Sequence, residues 1–136
     1  VVVATHERRR AAPAPARTLR IDDVATLRTL TRGAALCVVA RRRPGGFPVK
    51  LLNYLEAARA VVAHARVGEG LGHDRNAWLL PPGASADAVA DAVAQLLRDP
   101  ARCVRLGAAG RAHLAAQHDP AARAREVLGL IARVTR

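Results

Sequence analysis

The chain has 136 residues, 51% of them hydrophobic, which suits one domain with a real core and excludes disorder throughout. Two cysteines exclude a disulfide-stapled scaffold, and no apolar run reaches the roughly 18 residues of a membrane span. The net charge of +11, from 22 Lys and Arg against 11 Asp and Glu, points to anionic partners: nucleic acid, anionic lipid or a phosphorylated ligand. Most of the arginines are scattered, which also fits an Arg- and Ala-rich coding bias; the exceptions are Arg8 to Arg10 and Arg41 to Arg43.

Val1 to Ala4 reads as a short buried strand, mostly β-branched and apolar throughout. The N-terminal "VVVATHERRR" lacks the order of a signal peptide, because its charge follows the apolar run. With no methionine anywhere, the chain is expected to start inside a domain. Glu7 to Ala16 is an Arg-, Pro- and Ala-rich loop, and Thr18 to Ile21 a second strand. Asp22 or Asp23 then suits an N-cap, with Val24, Leu27 and Leu30 at helical spacing and Gly33 at the helix end. "ALCVVA" at 35–40 is a third strand, and Arg41 to Phe47 a loop. Pro48 suits the first turn of a helix that continues through Val49, Leu52, Leu55 and Glu56. "AVVA" at 60–63 is a fourth strand.

Val67 to Asn76 is a Gly-rich connection with room for one helical turn, and Trp78 to Leu80 a short extended piece ending at Pro81-Pro82-Gly83. Three helices follow. Ser85 caps the first, with Asp87 in its first turn and Val89, Val93, Leu96 and Leu97 on its apolar face. Asp99-Pro100 breaks it, and a second helix runs from about Ala101 to Gln117. Asp119-Pro120 starts the last, whose apolar residues are Val127, Leu128, Leu130, Ile131 and Val134. Strands that are continuous apolar runs, alternating with helices, indicate a parallel sheet covered on both faces. The fold class is therefore α/β and Rossmann-like, with residues 1–136 forming one domain.

In such sheets ligands bind outside the carboxyl ends of the strands, and "RRRPGGFP" follows the carboxyl end of "ALCVVA". Gly45 and Gly46 permit close backbone approach, and the helix start near Pro48 presents unpaired N–H groups and the positive end of a macrodipole. A diphosphate fits there, with Lys50 or Arg41 to Arg43 adding charge-assisted bonds; the arginines read equally well as a solvated loop cluster. His6, His64, His73, His113 and His118 show no metal-ligand spacing among themselves or with the cysteines. His64 is best read as a surface histidine, although its place after a strand would also let it face a ligand cleft. His113 and His118 are expected to face solvent, Trp78 to lie in the core, and Cys37 and Cys103 to be free buried thiols. No Ser/His/Asp or Cys/His nucleophilic set is visible.

The stretch "GGFPVKLLNYLEAARAVVA" resembles the donor-site segment of the GT-B retaining glycosyltransferases of family 4. "DDVATLRTLTRGAALCVV", "GHDRNAWLLPPG" and "DAVADAVAQLLRDPARCVRLGAAGRAHL" resemble the segments before and after it, in the same order, from about Thr18 to the C-terminus. The resemblance implies a donor-binding domain for a nucleotide diphosphate sugar, using Gly45, Gly46, Phe47, Pro48, Val49, Lys50, Leu51 and Asn53, with no metal and no separate cofactor. It implies transfer with retention, and a cytoplasmic protein with peripheral attachment to the inner membrane face as an option.

The family's two motif carboxylates fall on Gly45 and Asn53; Asn53 keeps hydrogen-bonding capacity for ribose hydroxyls, and Gly45 offers only backbone. The family's first strand of this domain, with its Gly-Arg element and a basic residue for the diphosphate, and its N-terminal acceptor-binding domain have no counterpart here. The chain is thus expected to be an N-terminally truncated portion, inactive alone, with the central strand of its sheet absent. A basic nucleic-acid-binding module is the alternative, carried by charge alone given one Trp, one Tyr and one Phe. An inactive remnant of a glycosyltransferase is the third reading.

Overall fold

A computed structural model of the chain describes residues 2–5, 16–41, 48–68 and 70–135. His6, Arg8 to Arg10, most of the 7–16 loop, and Arg42 to Phe47 with Gly45 and Gly46 lie outside the described residues. Strands β1 (Val2–Thr5) and β2 (Arg17–Arg20) pair in parallel, Val2 opposite Arg17. Strands β3 (Leu36–Val39), β4 (Ala60–His64) and β5 (Trp78–Leu80) form a second parallel sheet with β4 in the middle. Among the described residues no ladder joins the two sheets. The helices are α1 (Val24–Gly33), α2 (Val49–Glu56), α3 (Ala86–Leu97), α4 (Pro100–Gln117) and α5 (Pro120–Val134). No helix among the described residues is long and apolar enough to cross a membrane.

All five residues of β4 are buried. Because strand side chains alternate between faces, Val61 and Ala63 enter one cluster with Val39, Leu51, Leu55 and Val67, beneath α2. Ala60 and Val62 enter the other with Leu80, Ala92, Leu96 and Leu106, beneath α3. The unbroken apolar run in β4 is thus the signature of a strand covered twice. Helix α4 reaches both clusters, through Leu106 on one side and Leu114 on the other.

Short polar residues set the helix starts. The carboxylate of Asp23 accepts from Thr26 N at 2.7 Å and Thr26 Oγ1 at 2.6 Å, which lowers its pKa. Ser85, Asp99 and Asp119 accept from Ala88 N, Arg102 N and Ala121 N in the same way, and Pro100 and Pro120 occupy first-turn positions.

The turn from α2 into β4 is tight. Ala58 takes a left-handed conformation (φ 53°), and Ala58 N and Arg59 N donate to Leu55 O and Tyr54 O. Helix α4 lies directly on this turn: a Cβ added at Gly107 would sit 2.1 Å from Ala58 O, and one at Gly110 2.8 Å from Leu55 Cδ2. Glycine at these two positions is therefore a condition of the helix approach.

Several residues fall elsewhere than the sequence suggested. His64 is buried, 2% exposed, because β4 runs one residue longer than its aliphatic part and pairs His64 with Leu80. Trp78 is only half-buried: one side meets the core, while the Arg102 guanidinium stacks 4.5 Å from its ring and His73 meets it edge-on at 4.9 Å. His113 is half-buried, and Cys103 is half-buried rather than fully buried. Among its described residues the connection 67–76 is a series of turns closed on His64 O, Gly68 O and Gly72 O, with no helix. Pro48 is the residue before α2 rather than inside it. Helix α5 buries nothing; Val127, Leu128, Leu130, Ile131 and Val134 form an exposed apolar stripe.

Asp74 anchors that connection to α4. Its carboxylate takes Arg102 Nε at 2.9 Å and Nη2 at 2.5 Å, and Arg105 Nη2 at 2.7 Å, while Arg105 Nη1 donates to Asp74 O. These bonds, Arg102 first, hold the Asp74 carboxyl well below the usual range.

Two outcomes follow. Gly107→Ala should destabilise the fold by about 1–3 kcal/mol or more. Gly129→Ala, in α5 where an added Cβ meets nothing within 4 Å, should stabilise by about 0.5–1 kcal/mol. Urea unfolding of the pair checks this; a neutral Gly107→Ala would mean that α4 does not rest on the turn.

For Asp74 the folded pKa is depressed, so its contribution is complete above the unfolded value of about 3.9 and is lost as pH falls below it. Melting temperatures across the acid range should fall less steeply for Asp74→Asn than for the unaltered chain. Parallel slopes would remove Asp74 from the account.

Candidate functional site

The carboxyl edge of the second sheet gathers the end of β3, the start of α2 and the end of β4. Helix α2 differs from α1, α3, α4 and α5 in having no side-chain cap; the preceding residue is Pro48, with φ −78° and ψ 88°. In an α-helix the first N–H groups have no intrahelical acceptor. Leu51 N is satisfied by Pro48 O at 2.7 Å. The amides of Val49 and Lys50, at the positive end of the helix dipole, have no acceptor among the described residues. Both residues are exposed, and the Lys50 ammonium adds a full charge at the same end. Arg41, at the end of the β3 segment, is exposed as well.

The side chains of α2 divide by face. Leu51 and Leu55 enter the core at 2% and 3% exposure, so Leu51 holds the helix on the sheet and contributes no side chain to the edge. Asn53 and Glu56 face outward on the opposite side and are exposed. Asn53 opens on a groove of about 420 Å³ between α1 and α2, where Val24, Leu27 and Arg28 lie across from it. Of the residues singled out by sequence, the structure brings Val49, Lys50, Leu51 and Asn53 together on one short helix, with Pro48 immediately before it. Gly45, Gly46 and Phe47 are outside the described residues.

The reading of the sequence missed two further features. His64 ends β4 fully enclosed, with Nδ1 lacking a hydrogen-bond partner; the signal was the strand pattern continuing one residue past "AVVA". The groove also carries arginines from several elements, of which Arg28 and Arg32 at i, i+4 on α1 were visible in the sequence. Burial pushes the Cys37 thiol up to about 11, partly offset by the charge of Arg59, and burial also raises Cys103, which disfavours the thiolate at both. Among the described residues no cluster of three or more His, Cys, Asp or Glu side chains is placed to hold a metal ion.

Comparison with known proteins matches this architecture. No curated protein matches the chain. Among solved structures, sucrose-phosphate synthase from Thermosynechococcus elongatus is similar with a TM-score of 0.73 and 24% identity, over 88% of this chain and 30% of that one. Anabaena HepE in complex with UDP-glucose is similar with a TM-score of 0.75 and 15% identity, over 89% of this chain and 33% of that one. The C-terminal domain of LpcC, a glycosyl transferase group 1 family protein from Francisella tularensis, gives 0.65 and 19%, over 76% of this chain and 54% of that one. The chain thus spans about a third of the length of the first two. These likenesses establish a GT-B glycosyltransferase fold and give no support to a nucleic-acid-binding module. The sequence pattern of the family described as glycosyl transferases group 1 matches residues 4–99, and the chain belongs to that family.

Proposed function

We propose that this chain is the donor-binding part of a sugar transferase that uses a nucleoside diphosphate sugar. The observation that carries the reading is the start of α2, which has no side-chain cap and places Val49 and Lys50, both exposed, in its first turn. A diphosphate is the ligand that such a helix start suits. HepE, with the same fold, was solved with UDP-glucose.

In this reading the diphosphate lies against Val49 and Lys50, and Asn53, one turn further on, takes ribose hydroxyls with its amide as donor and acceptor. The loop carrying Gly45, Gly46 and Phe47 supplies backbone toward the sugar. During transfer the bond between the anomeric carbon and the diphosphate oxygen breaks, and its electron pair stays on the diphosphate. The acceptor oxygen takes its place at the anomeric carbon and releases its proton. The helix start and Lys50 meet the charge that develops on the leaving group, which is why the reading needs no metal and no separate cofactor. Retention at the anomeric carbon belongs to the same proposal and rests on the family resemblance.

The acceptor and the second domain that would hold it belong to the proposal too, since the chain spans 30% and 33% of two proteins of like fold. The apolar stripe of α5 is the surface offered to that domain. A cytoplasmic setting accords with Cys37 and Cys103 both being free, and peripheral attachment to the membrane's inner face is compatible with the net charge of +11.

The test is calorimetric titration with UDP-, GDP- and ADP-sugars. One of them should bind, and Asn53→Ala should weaken it by about 1–3 kcal/mol with little change in the melting temperature without ligand. Lys50→Ala should weaken the diphosphate and leave the free nucleoside unaffected. Binding of none of the three classes, or an Asn53→Ala variant that loses stability and not affinity, would contradict the proposal.

A further inference from the structure

The groove between α1 and α2 continues past Asn53 to a second end, built from different elements. Arg28 and Arg32 come from α1, Glu56 from the last turn of α2, Arg59 from the turn into β4, and Arg111 from α4. Four arginines and a single acidic residue thus line one cavity of about 420 Å³. Among the described residues neither Arg28, Arg32, Arg111 nor Glu56 takes part in an ion pair. Like charges at i, i+4 on a helix repel, so Arg28 and Arg32 on α1 are unfavourable unless something negative lies between them. Arg59 is the fixed member of the set: its Nη1 donates to Ala34 O at 3.3 Å, which holds the side chain at the cavity wall. Its Nε is buried and is not itself a contact for a ligand in the groove.

An anion among these arginines is not the diphosphate proposed for the helix start. Glu56 lies seven residues beyond Val49, about 10 Å along the axis at 1.5 Å per residue. A diphosphate held at Val49 and Lys50 cannot also reach Arg32, Arg59 and Arg111, and what it would send in that direction is the uncharged nucleoside.

We propose that the far end of the α1–α2–α4 groove is a second anion site for a phosphate monoester, bound by Arg32, Arg59 and Arg111, with Glu56 accepting from a hydroxyl of the same ligand. Asn53 stands at the boundary between the two sites, so occupancy of one bears on the other. The monoester is either a soluble phosphorylated molecule or a lipid headgroup, since the shared chemistry is a dianion beside a hydroxyl.

The test uses glycerol 3-phosphate as the soluble probe and vesicles containing phosphatidic acid as the lipid one. Each is titrated at physiological ionic strength, with UDP saturating the donor site, against the unaltered chain and the Arg32→Gln/Arg111→Gln double variant. Arg59 is left intact because it holds Ala34 O. The double variant should lose about tenfold or more in affinity for one probe, while its melting temperature and UDP affinity stay within experimental error. Tighter binding of glycerol 3-phosphate marks a soluble ligand, and binding of the vesicles alone marks a headgroup. If UDP does not bind at all, the donor reading fails, and the same two titrations without it still test this site. Equal affinity of both proteins for both probes, or no binding of either probe, would overturn the proposal.

Discussion

The rest of the fold depends on β4 being dry on both faces. Five consecutive buried residues cannot be covered by one layer, so the chain sends α2 to one side and α3 to the other. Helix α4 then spans both clusters. It reaches them only because Gly107 and Gly110 let it lie on the α2–β4 turn, where Ala58 accepts a left-handed backbone. Burying residues such as Val61, Val62, Leu96 and Leu106 gives about 1.5–3 kcal/mol each, and that burial fixes where α2 begins. The position of the proposed site is thus a consequence of core packing.

The same packing explains why α2 starts without a side-chain cap. Its inward face is used by Leu51 and Leu55, and the residue before it is a buried proline, which has neither an N–H nor a capping oxygen. α1, α3, α4 and α5 begin on Asp23, Ser85, Asp99 and Asp119, so their first amides are already answered by side chains of this chain. An external anion meets the least competition at α2.

Much of this was legible in the sequence. The α/β class, the caps at Asp23, Ser85, Asp99 and Asp119, and the apolar stripe of α5 follow from local periodicity and short polar residues, whose physics is local; that the stripe is exposed does not. What was not legible depends on contacts between distant segments. His64 is polar, and only its pairing with Leu80 and the length of β4 show it to be enclosed. Trp78 looks like core until Arg102, on a helix far along the chain, covers its outer side. The arginine groove assembles α1, the α2–β4 turn and α4, and no spacing within one segment reveals it beyond the Arg28–Arg32 pair. Asn53 could be placed on the outward face of α2 from helical spacing, but what lies opposite it needed the fold.

The account centres on the Val49 and Lys50 amides at the start of α2. Amide NMR of the ¹⁵N-labelled chain, titrated with UDP, reads them directly. The account predicts that the Val49 and Lys50 resonances move most and move together, with the Asn53 side-chain amide following, while Ala88, Arg102 and Ala121 at the capped helix starts stay still. Perturbations centred on any of those three, with Val49 and Lys50 unmoved, would contradict it.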